Sequence, residues 1–160
     1  MKNDEKIIKK IITTLSQQKK TLSFAESCTG GRIAAAFTSV AGASSVLNGS
    51  VVSYSNEIKT QWLHVDPEIF TLHGAVSQEC VSQMLDGIQK LANADYAIAV
   101  SGIAGPEGGS LKKPVGTVYI GLLTPKTKEV VHCFFEGNRR EIQEKATHFS
   151  INKLKDFLKI

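Results

Sequence analysis

The sequence predicts an α/β protein built on a mixed sheet, and three observations carry that reading. Short apolar or β-branched runs alternate with helical patterns over the first hundred or so residues, the arrangement that gives neighbouring strands covered by helices. Two further runs, 116–123 and 130–135, are joined through a Pro125-Lys126-Thr127-Lys128 turn, which makes them a hairpin and so antiparallel. No internal repeat or linker interrupts the chain, and 160 residues suffice to bury a core. Residues 1–160 are therefore expected to form a single domain.

Each element has its own signal. Ile7, Ile8, Ile11, Ile12 and Leu15 mark an amphipathic helix over about residues 3–20. A first strand occupies about 21–26, with Leu22 and Phe24 alternating, and a helix follows over about 30–41 through Ile33, Phe37 and Val40. Residues 46–54 have the β-branched content of a second strand, with a bulge expected at Gly49. Ser55-Asn56-Glu57 caps a short helix carrying Ile58, Lys59, Trp62 and Leu63, and Pro67 opens another helical turn. Ser77 caps a helix whose inner face is Val81, Met84, Leu85, Ile88 and Leu91. Residues 94–100 read as a buried strand running into a glycine-rich loop. Asn138 and Glu141 make a capping-box pair for the last helix, with Ile142, Ala146, Phe149, Leu154 and Leu158 inward.

Composition narrows the function classes. With 42% apolar and 21% charged residues the chain is an ordinary globular one. No apolar run approaches the ~20 residues of a membrane span, and the N-terminus lacks a signal-peptide core, so a cytoplasmic location without membrane partners is expected. The net charge is +4, but no aromatic residues interleave with the lysines, which argues for a solvated helix face over nucleic-acid binding. Neither the three cysteines nor the four histidines show metal-ligand spacing, so no metal or other cofactor is expected.

The chemistry concentrates at strand ends. Residues 23–32 read as a strand, a polar turn of Glu26-Ser27-Cys28-Thr29 with Gly30 and Gly31, and a helix N-terminus. Backbone N–H groups there suit an oxygen nucleophile and its oxyanion. The same pattern fits a plain N-cap at Thr29, with the glycines serving the turn. Tyr54 and Lys59 fall just after the second strand, and the Ser101–Gly116 stretch follows the third. In α/β sheets ligands collect at strand ends, so these clusters are expected to share one pocket. The glycine-rich loop has neither a Walker A nor a Rossmann pattern. Arg139 begins the last helix, where the dipole disfavours a cation unless an anion is bound nearby. No Ser-His-Asp pattern is present, which leaves Lys59 as the candidate base for Ser27, provided burial makes the amine neutral. A lone serine and a lone lysine do not by themselves justify that pair, and on their own they favour a surface lysine.

Five ordered motifs resemble the CinA C-terminal domain family: AESCTGG at 25–31, GSVVSYSNEIK at 49–59, GAVS at 74–77, SGIAGPEGG at 101–109 and KPVGT at 113–117. A GNR segment at 137–139 adds to them. The resemblance runs from about residue 5 to the C-terminus and fits the stand-alone form, without the pyrophosphatase-like domain of longer CinA proteins. It implies a three-layer α/β/α sandwich and hydrolysis of nicotinamide mononucleotide to nicotinate mononucleotide and ammonia. The implied catalytic residues are Ser27, Lys59 and Tyr54. Those implied for substrate binding are Glu26, Cys28, Thr29, Gly30, Gly31, Ser101, Gly102, Gly105, Gly108, Thr117 and Arg139. Two positions depart from the family pattern: Ser101 replaces a threonine, and Gln143 stands where many members have a second arginine, which bears on anion binding. Cys28 is the alternative nucleophile. The alternative function is a non-catalytic nucleotide- or phosphate-binding module linked to competence or DNA damage, and an amidohydrolase for a related amide is a third. The expected partner is a small-molecule nucleotide, and the apolar helices leave room for a homodimer.

Overall fold

The computed structural model describes residues 2–160; Met1, the first residue of the expected domain, lies outside them. The chain runs α1 (Lys2–Gln17), β1 (Leu22–Glu26), α2 (Arg32–Thr38), β2 (Leu47–Val52), α3 (Asn56–Leu63), α4 (Pro67–Leu72), α5 (Gln78–Ala92), β3 (Tyr96–Gly102), β4 (Thr117–Leu123), β5 (Lys128–Phe134) and α6 (Arg139–Leu158). The five strands lie in the order β2-β1-β3-β4-β5. Strand β1 pairs in parallel with β2 and β3, and β4 and β5 add as an antiparallel hairpin, so the sheet is mixed.

Side-chain alternation along the strands explains the layers. One face presents Phe24, Ile98, Val100, Val118 and Ile120 to the core under α1, α2 and α6. The other presents Ala25, Ala97 and Ala99 to Val81, Met84, Leu85 and Ile88 of α5, with Leu63 of α3 beside them. Small residues let α5 lie close to the sheet: a Cβ on Gly121 would meet Leu85 Cδ1 at 2.6 Å. Gly87 does the same between helices, since a Cβ there would sit 2.1 Å from the Leu63 carbonyl oxygen. That close crossing seats α3 on α5 and so fixes the helix that carries Lys59.

Several details differ from the sequence pattern. Helix α1 stops at Gln17 and α2 at Thr38. The bulge falls one residue before Gly49: Leu22 pairs with Leu47 and Ser23 with Gly49, leaving Asn48 over. The Asn48 side chain instead donates to the Ala92 carbonyl. Leu91 is exposed, because 100° per residue places it at the edge of the arc set by Val81, Met84, Leu85 and Ile88. Capping follows the expected residues: Ser55, Ser77 and Asn138 cap α3, α5 and α6, the last in a full capping box with Glu141. Among the described residues no helix is long and apolar enough to cross a membrane.

Candidate active site

Strands β2, β1 and β3 end side by side, and the segments that leave their C-terminal ends enclose a cleft of about 270 Å³. Ser27 and Cys28 enter it from β1, Tyr54, Asn56 and Lys59 from β2 and α3, and Ser101 to Gly108 from β3. Ala75 and Val76 form another wall and Arg139 stands at the start of α6. A larger groove of about 960 Å³ lies among α1, α2 and α6, lined by Ile8, Ala36 and Phe149, and holds neither Ser27 nor Lys59.

Glu26 organises the turn after β1. Its carboxylate is fully buried and accepts from Thr29 Oγ1 at 2.6 Å, Gly31 N at 3.1 Å, Ile33 N at 3.1 Å and Ala34 N at 2.9 Å. The three N–H groups lie at the start of α2, whose N-cap residue, Gly31, has no side chain to cap it. A carboxylate is the favoured occupant of that positive helix end. Glu26 and Thr29 therefore hold the turn and face the helix, not a ligand; neither lines the cleft. Gly30 and Gly31 also stay out of the cleft. Both have positive φ, 59° and 91°, the left-handed backbone that a chain doubling back into a helix needs here. Their N–H groups go to the Ser27 carbonyl at 3.0 Å and to Glu26. Among the described residues, Cys28 and Thr29 are left as the turn's sources of backbone donors without a carbonyl or carboxylate acceptor, the Cys28 N–H meeting only its own thiol.

Lys59 points inward from α3 and is 1% exposed. Its Nζ lies 3.1 Å from Ser27 Oγ and 3.0 Å from the Tyr54 carbonyl oxygen. Burial pushes the lysine below its ordinary pKa, because the charged form loses hydration. Among the described residues no carboxylate is within bonding reach of Nζ to restore the charge. The contact can therefore be made by an amine that donates one hydrogen to the Tyr54 carbonyl and turns its lone pair toward Ser27. Cys28 lines the same cleft, but burial pushes its thiol up to about 12, with Glu26 adding to the rise. The helix end that would favour a thiolate is already filled by Glu26.

The remaining expected residues divide. Tyr54 meets Lys59 through its carbonyl only; its ring is 58% exposed and its hydroxyl accepts from Arg139 at 2.9 Å, away from the dyad. The second guanidinium nitrogen of Arg139 donates to the Gly105 carbonyl at 2.7 Å. A cation at the first position of α6 is thus supported by an acceptor on the loop, and the same guanidinium joins three segments across the cleft mouth. Ser101 lines the cleft with Gly102, Gly105 and Gly108, and its hydroxyl donates to the Ala75 carbonyl at 2.8 Å. Thr117 is buried below the cleft, its hydroxyl donating to the Pro114 carbonyl at 2.7 Å, and does not line it.

Sequence reasoning gave no site role to Ala75 and Val76, although it singled out the GAVS motif. The signal was there: Ser77 begins α5, so the residues before it form a loop. It also missed Lys113, which reaches the His73 carbonyl and ties the glycine loop to that wall. Gln143, which stands where many family members have a second arginine, was given no site role. It lies behind the nucleophile turn, donating to the Cys28 carbonyl at 2.8 Å.

The model of the CinA C-terminal domain matches residues 4–158. A CinA-like protein of Endomicrobium trichonymphae is 49% identical over 141 residues, covering 88% of this chain and 33% of the relative. One of Thermotoga neapolitana is 43% identical over 157 residues, covering 98% and 38%. The chain thus spans about a third of the length of these curated relatives. Among solved structures, the competence damage-inducible protein A of Klebsiella pneumoniae superposes with a TM-score of 0.93 at 37% identity, covering 97% of this chain and 96% of that one. The competence/damage inducible protein CihA of Agrobacterium tumefaciens gives 0.93 at 36% identity, with 98% and 96% covered. With motifs, sheet order and nearly full-length superposition agreeing, this chain belongs to the CinA C-terminal domain family.

Proposed function

We propose that this chain hydrolyses the carboxamide of nicotinamide mononucleotide to nicotinate mononucleotide and ammonia through an acyl-enzyme on Ser27. The observation that carries the reading is the 3.1 Å contact between Ser27 Oγ and the buried Nζ of Lys59. A serine beside an amine lowered in pKa by burial is an activated nucleophile with its base. The choice of substrate rests on the family resemblance. A small cleft with Arg139 at its mouth supports it as a place for a phosphate.

Neutral Lys59 takes the Ser27 proton as Oγ bonds to the carboxamide carbon, and the carbonyl electron pair moves onto oxygen. The positive pyridinium ring makes that carbon more electrophilic. The N–H groups of Cys28 and Thr29 stabilise the oxyanion. As the carbonyl re-forms, the C–N bond breaks and the nitrogen leaves as ammonia with the proton from Lys59. Water then gives a proton to Lys59 as its oxygen attacks the ester, the C–Oγ bond breaks, and Ser27 recovers its proton. Arg139 holds the phosphate and so keeps the carboxamide in line.

Ammonia release by wild type, Ser27→Ala and Lys59→Ala tests this. Both variants are expected to fall by at least about 10³-fold, as for loss of a nucleophile or its base. Because only the neutral amine accepts a proton, the wild-type rate should climb as pH rises through the lowered pKa of Lys59. Undiminished turnover in Lys59→Ala would remove the base from the mechanism. Mononucleotide binding without turnover in wild type would favour the binding-module reading, in keeping with the competence and damage names of the related structures.

A further inference from the structure

Among the described residues, Gln143 makes the one long-range side-chain hydrogen bond to the backbone of the nucleophile turn. It projects inward from the second turn of α6, is 7% exposed, and donates from Nε2 to the Cys28 carbonyl, 115 residues away in sequence. Unlike Arg139 on the same helix, it does not line the cleft. Its effect is on the orientation of a peptide plane. In a trans peptide the C=O and the following N–H point in opposite directions. Gripping the Cys28 carbonyl from α6 therefore fixes the direction of the Thr29 N–H.

The peptide before it is held in the same manner. The Ser27 carbonyl accepts from Gly30 N at 3.0 Å, which fixes the direction of the Cys28 N–H. The next N–H groups, of Gly30 and Gly31, are engaged with Ser27 and Glu26. Two donors remain beside Ser27, and each is aimed by whatever holds the carbonyl of its own peptide. One of those grips is local and comes with the turn; the other comes from Gln143.

We propose that Gln143 is a positioning residue for the oxyanion, aiming the Thr29 N–H by clamping the Cys28–Thr29 peptide from behind. This rests on the acyl-enzyme reading above. A donor aimed in advance contributes most where charge develops in the transition state and little to the bound substrate. Gln143 should therefore affect turnover and leave substrate affinity alone. Removing an oxyanion donor outright costs about 10²–10³ in kcat, and a donor set free to tilt loses part of that.

The test uses the full chain with Gln143→Met, which keeps size and removes the donor, and Gln143→Lys, which keeps a donor. Ammonia release from nicotinamide mononucleotide gives kcat and KM. Inhibition by the 3-formyl analogue of the mononucleotide, whose aldehyde carbon takes Ser27 Oγ, reports oxyanion stabilisation separately. In Gln143→Met we expect kcat to fall roughly 10- to 100-fold with KM within about threefold, and aldehyde affinity to fall in step with kcat. Gln143→Lys should recover part of both. A third variant, Gln143→Glu, carries the test if the methionine variant does not fold. Its carboxyl donates only when protonated, so its kcat relative to wild type should rise as pH falls. A wild-type kcat in Gln143→Met, or a flat pH ratio in Gln143→Glu, overturns the proposal while leaving the proposed function standing. Failure of wild type to release ammonia overturns the function itself, and the inference with it.

Discussion

The nucleophile turn after β1 and the glycine loop after β3 reach the same cleft but are held in opposite ways. Between Glu26 and Arg32 the backbone is mostly buried, and one carboxylate takes three N–H groups and a hydroxyl. Between Gly102 and Gly116 the chain is largely exposed, with Leu111 fully in solvent at its tip. Its two ends are joined by backbone bonds between Ile103 and Thr117 and between Gly116 and Ile103, and its ties to the rest of the cleft are single side chains: Arg139 on the Gly105 carbonyl and Lys113 on the His73 carbonyl. The nucleophile Ser27 thus sits on the buried, carboxylate-held segment, and Arg139, suited to grip a ligand, meets the exposed one from α6. Damage to the turn should lower kcat and stability together, whereas damage to the loop's ties should raise KM with the fold intact.

The largest effect is expected from Glu26→Ala. It would leave the Gly31, Ile33 and Ala34 N–H groups and the Thr29 hydroxyl without their acceptor at a helix end. Hydrogen bonds to a buried charge and a lost helix cap together suggest a cost of about 3 kcal/mol. For a chain of this size that corresponds to a melting temperature lower by roughly 6–12 °C. Because the same carboxylate shapes the turn beside Ser27, turnover should drop as well. A variant with unchanged melting and turnover would erase the distinction between the two segments, and thermal unfolding with ammonia release measures both.

Arg139→Ala probes the other side. Its guanidinium connects α6, the glycine loop and Tyr54 at the cleft mouth. Loss of a charge-assisted contact of about 1.5–3 kcal/mol should raise KM about 10- to 100-fold, with kcat within a few-fold. Arg139→Lys should recover only part, since an ammonium cannot donate to the loop carbonyl, the hydroxyl and an anion in one plane. A collapse of kcat with KM unchanged would place Arg139 in the chemistry and break the division between segments.

That division explains what the sequence made legible. Helices and the hairpin followed from periodicity and caps because those signals are local: Ser55, Ser77 and the Asn138–Glu141 pair each sit next to the element they start. Ser27 and Lys59 were singled out through motifs, and their pairing was expected from the family resemblance and not from local pattern, because 32 residues separate them and a lysine on a short helix ordinarily faces water. Its burial depends on Gly87, whose missing side chain lets α3 settle on α5. Glu26 was misread for a related reason. A carboxylate beside a nucleophile looks like a ligand-binding group until the helix end behind it is seen to have no cap of its own. Thr117 and Gln143 share that difficulty: each is polar and near a motif, yet each turns its side chain to a backbone carbonyl.

The smallest effect is expected at Cys28, and it bears directly on which atom attacks. Cys28 adjoins Ser27 and lines the cleft, so proximity alone would allow a thiolate mechanism. Burial, with the neighbouring Glu26 carboxylate adding to it, holds its thiol up at about 12; its own backbone N–H, Lys59 and Arg139 pull the other way with less effect. At neutral pH the group is therefore protonated, a small apolar filler and not a nucleophile. Cys28→Ala should keep ammonia release within about threefold and cost about 1 kcal/mol for the small void it leaves. Its pH profile should still rise through the pKa of Lys59, because the amine, not the thiol, is the titrating base. If ammonia release vanished in Cys28→Ala and survived in Ser27→Ala, the attack would belong to sulfur. The preorganised turn would then serve the residue after the one its hydrogen bonds present.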